Sequence, residues 1–167
     1  MDPLTNPTTQ SNWVIPGSVA IGAYPDPSTS VPQQLVADGF NVFVSLQTEP
    51  ELKKFPPYHH ILPVDTLWLQ LPISDRGTTT DDRLLSFIKL LRYLLAQGKK
   101  IYIHCNTGHG RCGTLACVLL SQIEGLNYTS AIAKANVQHR TRALEPDIRI
   151  PECTGQRQQV QRLCLGL

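Results

Sequence analysis

The sequence predicts one α/β domain: a central, mostly parallel, twisted sheet of about five strands flanked by helices. Three observations predict it. Short apolar runs rich in β-branched residues alternate with stretches whose apolar residues recur every three or four positions. Residues 101–114, Ile-Tyr-Ile-His-Cys-Asn-Thr-Gly-His-Gly-Arg-Cys-Gly-Thr, pass from an alternating strand through a glycine-bearing loop into a small, apolar segment that reads as a buried helix. The length, 167 residues, is enough to bury one sizeable core.

Taken in order, residues 1–12 are polar, carry Pro3 and Pro7, and read as a flexible N-terminal segment, leaving 13–167 as the domain. A turn at Pro16-Gly17 leads to a first strand around Val19–Ala23. Val31 to Gly39 is a short helix, with Pro32 suited to its first turn and Gly39 to its end. Phe40 to Leu46 is a buried strand, and Glu49 to Phe55 one or two helical turns stopped by Pro56-Pro57. His59 to Val64 reads as a strand and Leu67 to Ile73 as the next. The adjacent His59 and His60 would then point to opposite faces, one packed and one exposed, and would not share a metal ion.

Leu84, Leu85, Ile88, Leu91, Leu94 and Leu95 lie on one face of a helix running from Asp81 to Gln97, whose first-turn acids suit its dipole. Ile101 to His104 is the next strand, and Cys112 to Gln122 the buried helix after the loop. Tyr128 to Gln138 is another helix, with Asn127 or Thr129 as cap, and Gly155 to Leu165 the last.

Composition narrows the function. The net charge of +2 with both signs mixed gives no reason to expect nucleic acid or an anionic membrane as partner. The N-terminus has no apolar leader, and no apolar run reaches membrane-spanning length. Five widely spaced cysteines do not suggest a disulfide framework, so a reducing, cytoplasmic setting without membrane insertion is expected.

The loop between the strand and the helix at 105–111 carries the chemistry. Its backbone N–H groups and the helix dipole converge on one concavity that favours an anion. Arg111 can close the ring with a planar fork suited to phosphate. The same field stabilises a thiolate at Cys105, lowering its pKa below the free-thiol value of roughly 8.5. Three other readings are weaker. Gly108 to Thr114 approximates a Walker phosphate loop but lacks the lysine. His104, Cys105, His109 and Cys112 do not have the spacing of a tetrahedral zinc site. Cys105 as a plain buried thiol leaves the glycines and arginine around it without a purpose.

His104-Cys105-x5-Arg111, with Gly108 and Gly110 inside it and a strand–loop–helix around it, resembles the signature loop of the cysteine-dependent protein tyrosine phosphatases, dual-specificity branch. The resemblance covers most of the chain and implies a dual-specificity phosphatase-like fold. It implies Cys105 as nucleophile and Arg111 as phosphate clamp, with Asn106, Thr107, Gly108, His109 and Gly110 completing the phosphate cradle. His104 would orient the loop and help keep Cys105 ionised. Pro72-Ile73-Ser74-Asp75-Arg76-Gly77 resembles the family's general-acid loop, here thirty residues before Cys105. Departure of an alkoxide or phenolate needs a proton, which Asp75 would supply; Asp65, Asp81 and Asp82 are the other candidates, and Asp75 as a mere turn former is the plainer one.

The chain departs from the family at Cys112, where a Ser or Thr hydroxyl is usual. A thiol is a weaker donor, so hydrolysis of the intermediate would slow, unless Thr107 or Thr114 compensates; Cys112 could also crosslink to Cys105 under oxidation. The family needs no metal or cofactor, and its partner here would be a phosphorylated protein, with a phosphoinositide, an RNA 5′-phosphate or mere phosphoprotein capture as alternatives. His109, if cationic, is what keeps the lipid alternative alive. His139 to Arg142 is either a basic rim of the substrate mouth or a solvated helix end, and Gln156, Gln158 and Gln159 are equal candidates for positioning water.

Overall fold

A computed structural model describes residues 5–164. Its strands are β1 (Ser11–Ile15), β2 (Val19–Gly22), β3 (Val42–Ser45), β4 (Leu67–Gln70) and β5 (Ile101–His104). They form one sheet in the order β1-β2-β5-β3-β4, with β1 antiparallel to β2 and every other pair parallel. Parallel neighbours require crossovers, and the helices between strands supply them: α1 (Val31–Ala37), α2 (Glu49–Leu52) and α3 (Asp81–Ala96). Three more helices follow β5: α4 (Gly110–Glu124), α5 (Tyr128–His139) and α6 (Thr154–Leu163).

Strand side chains alternate between two faces, and here both faces are covered. Val19 and Ile21, Val42 and Val44, Ile101 and Ile103 pack in one core with Leu84, Ile88 and Leu91 of α3 and with Leu115, Val118 and Leu119 of α4. Ala20, Tyr102 and Phe43 stand in register on the other face, in a second core with Trp13, Leu35, Phe40 and Tyr58. Double burial is why these strands read as apolar runs rather than alternating ones. α4 is the axis of the first core: Arg111 through Ser121 are all buried. It stops at Gly125, whose φ of +68° is the left-handed conformation that glycine adopts without a Cβ penalty.

The strand count of about five holds, but one member differs. His59–Ile61 is a single 3-10 turn, not a strand, and both histidines are exposed. Prolines at 56, 57 and 63 bracket it and cannot donate to a ladder; only Tyr58 beside it is buried. The fifth strand is β1, whose first two residues, Ser11 and Asn12, fall in the segment expected to be flexible; both are buried. A register shift between Trp13 and Ile15 breaks the alternation that would have disclosed it. The last helix ends at Leu163, and Leu165 lies outside the described residues. Among the described residues no helix is long and apolar enough to cross a membrane.

Candidate active site

β5 delivers residues 105–109 to the C-terminal edge of the sheet, and α4 takes the chain up at Gly110. Three side chains or close approaches fix the loop between them. Gly108, at φ +80°, lies against the backbone of Gly22 at the end of β2, so closely that a Cβ would collide with it. Arg142, 3% exposed, reaches in from behind: its Nη1 donates to the Thr107 carbonyl (3.0 Å), its Nη2 to the Gly108 carbonyl (2.7 Å) and its Nε to Asn12 Oδ1 (2.8 Å). With those carbonyls held outward, the loop's N–H groups are left to face the concavity. Gln47 Nε2 donates to Asn106 Oδ1 and holds the side wall.

Arg111 is 2% exposed, and both its terminal nitrogens are paired. Nη1 and Nη2 bind the two Glu51 oxygens at 2.9 and 3.0 Å, Nη1 donates to the Ile73 carbonyl at 2.7 Å, and Nη2 lies 3.3 Å from Asp75 Oδ1. Glu51 is itself fixed, accepting from the Thr48 N–H (2.8 Å) and hydroxyl (2.9 Å) at the start of α2. Burial alone would raise the Glu51 carboxyl, but the hydrogen bonds from Arg111 and Thr48 outweigh it and hold it below its ordinary value.

The Cys105 thiol, 3% exposed, is lowered from 9.0 to about 6. The largest cause is the neighbouring Cys112 thiol, which also lies 3.7 Å from the Ile103 carbonyl and 4.0 Å from the Gly22 carbonyl. Burial opposes it, and the Cys112 backbone, the Arg111 charge and the Gly108 N–H (3.2 Å from Sγ) add to it. Burial pushes the Cys112 thiol itself far above its usual range, so it stays protonated and able to donate. Thr114 is turned to its own helix, donating to the Gly110 carbonyl at 3.0 Å, and does not face the sulfur. Alkylation of Cys105 by iodoacetamide is therefore expected to rise with pH through a midpoint near 6, because only the thiolate reacts. Cys112→Ala moves that midpoint upward and Cys112→Ser restores it; a midpoint unmoved in Cys112→Ala contradicts the assignment.

His104 pairs with Tyr58. It is 0% exposed and burial drives it down to about 3, so it is neutral at neutral pH and lends Cys105 no charge. Its Nε2 is 2.6 Å from the Tyr58 hydroxyl, which also accepts from Trp68 Nε1 at 3.0 Å. His109 also turns out of the concavity: Nε2 is 2.8 Å from Glu145 Oε2 and Nδ1 is 2.8 Å from His139 Nε2. The histidines and cysteines of the loop thus point in different directions and do not converge on one point.

Asp75 sits at the pocket mouth, its side chain 64% exposed, on a loop that α6 holds. Gln156, fully buried, donates to the Gly77 carbonyl at 3.2 Å and accepts from the Cys153 N–H. Gln159 donates to the Thr79 carbonyl and to Asp81 Oδ1, while Gln158 is exposed. Of the other acids, Asp81 is tied to Arg162 on the surface and Asp65 is exposed in the turn before β4. The pocket is lined by Asp75, Arg76, Cys105, Arg111, Cys153 and Gln156, among others, and its free space is only about 20 Å³.

Sequence reasoning missed Glu51 and Gln47, and it singled out Arg142 only within a basic segment. Glu51 had one legible signal, the capping box Thr48-x-x-Glu51, which announces a helix start and says nothing of an arginine sixty residues away. Arg142 and His139 are buried against the loop rather than at a basic rim or a solvated helix end.

Comparison with known proteins agrees with this geometry. The family described as "Swiss Army Knife protein, DSP-PTPase phosphatase domain" matches residues 8–158. Protein 067L of Invertebrate iridescent virus 3, named as a tyrosine phosphatase, is 30% identical over 137 residues. That match covers 80% of this chain, which spans 55% of the length of the viral protein. Among solved structures, Tk-PTP in its active form superposes with a TM-score of 0.76 at 22% identity, over 92% of this chain and 95% of its own. PTPMT1 in complex with PI(5)P superposes with a TM-score of 0.73 at 16% identity, over 92% and 94%. At these identities the two structures show a common fold.

Proposed function

Since this chain belongs to the dual-specificity branch of the protein tyrosine phosphatase superfamily, we propose that it hydrolyses phosphate monoesters of phosphoproteins, phosphotyrosine and phosphoserine or phosphothreonine, through a cysteinyl-phosphate intermediate. The observation that carries this reading is a thiol lowered to about 6 at the floor of a loop closed by a buried arginine.

In this mechanism phosphate enters over Cys105 and takes the Arg111 Nη2 position that Asp75 occupies, which frees the carboxylate for the leaving group. The pocket's 20 Å³ holds little more than a water, so entry moves the 74–79 loop outward, and closure brings Asp75 back over the ester oxygen. The Cys105 thiolate attacks phosphorus in line. The loop N–H groups and Arg111 stabilise the equatorial oxygens, and this electrostatic positioning is the main catalytic contribution. Asp75, once released from Arg111, takes up a proton from solvent and gives it to the departing oxygen, then regains one from the water that cleaves the S–P bond. Gln156, bridging the acid loop to α6 within the pocket, is placed to hold that water. The Cys112 thiol, donating to the sulfur, stabilises its departure as a thiolate.

A phosphoprotein is favoured over a phosphoinositide because His109, the loop side chain that could add a cation at the mouth, is committed to Glu145 and His139 behind it. The test is hydrolysis of para-nitrophenyl phosphate with chelator present, followed by acid quench and peptide mapping. Phosphate is expected on Cys105; steady turnover with no phosphate on the peptide carrying Cys105 contradicts the mechanism. Asp75→Ala is expected to lower kcat about 100-fold for alkyl and phosphotyrosine esters and much less for para-nitrophenyl phosphate, whose leaving group departs without a proton. Equal losses on both would assign Asp75 to the Arg111 ion pair rather than to acid catalysis.

A further inference from the structure

Across Asn106 from the phosphate pocket lies a second, larger depression at the same edge of the sheet. It measures about 440 Å³ and is walled by Tyr24, Leu52, Phe55, Tyr58, His59 and Trp68. The rings brace one another: Tyr24 and Phe55 are 4.6 Å apart between centroids, Tyr24 and Tyr58 5.3 Å, and His59 and Trp68 6.1 Å. Tyr58 is the buried floor, while Phe55 and Trp68 are half-buried and keep part of their surface open. A concave site of this size walled mainly by rings is suited to an organic group rather than to water.

Its position says which group. The Tyr24 N–H donates to the Asn106 carbonyl at 3.1 Å. From the other side Gln70, on the groove's rim, donates to the Gln47 carbonyl, and Gln47 donates to Asn106 Oδ1. Asn106, which lines the phosphate pocket, is thus tied directly to Tyr24 of the groove and through Gln47 to Gln70 on its rim. An extended polypeptide advances about 3.3 Å per residue, so the groove is in reach of side chains within about four positions of a phosphorylated residue held over Cys105. Trp68 and Gln70 also belong to β4, which among the described residues pairs only with β3 and ends the sheet. Its outer edge offers backbone donors and acceptors to an extended chain, something a nucleobase or an acyl tail would not use. The lining carries one anion, Glu49, and one cation, Lys53, and this balance of charge suits an uncharged side chain.

We propose that this groove is a specificity subsite that takes a large aromatic side chain of the substrate polypeptide, a few residues from the phosphorylated one. The assignment rests on the phosphoprotein reading above. Bound there, a Trp or Phe would stack against the open faces of Phe55 and Trp68, while its backbone lies along β4.

The test is a set of phosphotyrosine and phosphothreonine peptides in an alanine–glycine–serine background, with one Trp moved through the four positions on each side of the phosphoresidue. Para-nitrophenyl phosphate, too small to reach the groove, serves as reference. Trp at one or two positions on one side is expected to raise kcat/KM about tenfold, chiefly through KM. Phe55→Ala and His59→Ala are expected to remove that preference and leave para-nitrophenyl phosphate turnover within twofold. A flat scan with the reference reaction intact overturns the subsite, as does a preference that survives both substitutions, or the absence of turnover on every phosphopeptide. Loss of para-nitrophenyl phosphate turnover in the unaltered protein overturns instead the phosphatase reading beneath it.

Discussion

Cys105→Ser is expected to abolish turnover of para-nitrophenyl phosphate, a fall of at least about 10⁴-fold, while leaving phosphate binding in place. With its pKa near 6, the Cys105 sulfur is about nine-tenths thiolate at pH 7, so the attacking atom is ionised before substrate arrives. A serine hydroxyl in the same field stays protonated, and no neighbouring base is placed to ionise it: His104 faces Tyr58 and is neutral, and Asp75 faces Arg111. The groups that hold the phosphate are Arg111 and the backbone amides, and the substitution touches neither. Titration with inorganic phosphate, followed by calorimetry, is thus expected to give a dissociation constant for Cys105→Ser within a few-fold of that of the unaltered protein. Residual turnover above about one per cent would show that the thiol is not the nucleophile. Intact folding with loss of phosphate binding would show instead that the sulfur shapes the loop.

Glu51→Ala is expected to damage both stability and activity. Arg111 is 2% exposed and carries its charge against two Glu51 oxygens; the Cys105 thiolate acts on it through charge alone, and Asp75 is 64% exposed along its side chain and longer in contact. Removing Glu51 leaves a buried guanidinium without its principal counter-charge. The cost is about 3 kcal/mol, the low end for breaking a buried ion pair because the Glu51 side chain is itself 18% exposed. For a domain of this size that is roughly 6–12 °C in Tm. The guanidinium also loses its bidentate orientation, so kcat/KM is expected to fall about 100-fold. Glu51→Gln keeps the shape but only one acceptor oxygen, its NH2 group facing a donor, and is expected to recover part of the stability and little of the activity.

The pH dependence has a definite sign. The Glu51 carboxyl in the folded protein lies below its ordinary 4.5, so the pair contributes fully above 4.5 and is lost as pH falls through the lower folded value. Stability of the unaltered protein should therefore drop on acidification below about 4.5, more steeply than that of Glu51→Ala. Parallel acid-unfolding curves for the two proteins would remove Glu51 from this role.

The sequence by itself determined those parts whose physics is local. A strand, a loop with glycines at 108 and 110, and a helix starting at Gly110 are written in adjacent residues, and so is the anion-binding concavity they make. The helix over Asp81–Ala96 was legible from its spacing, and the cap of α5 was legible as one of two residues, of which Asn127 accepts from the Ser130 N–H. Doubly buried strands were legible as apolar runs. Only β1 escaped, because its bulge breaks the period, and the turn at His59 was mistaken for a strand because a short run with an apolar end fits either.

Only the tertiary structure decided what stands around the loop. Glu51 and Arg142 come from distant segments, and each acts through burial beside a partner, which no spacing records. The same is true of choices the sequence left open. Which glutamine enters the pocket depends on which face of α6 meets the acid loop. Whether His109 serves the phosphate depends on whether Glu145 and His139 are within reach behind it. Whether Cys112 weakens the site depends on its burial, which keeps that thiol protonated and so makes it a donor to Cys105. Charge and hydrogen-bond effects fall off over a few ångströms, and distances of that kind exist only once the chain has folded.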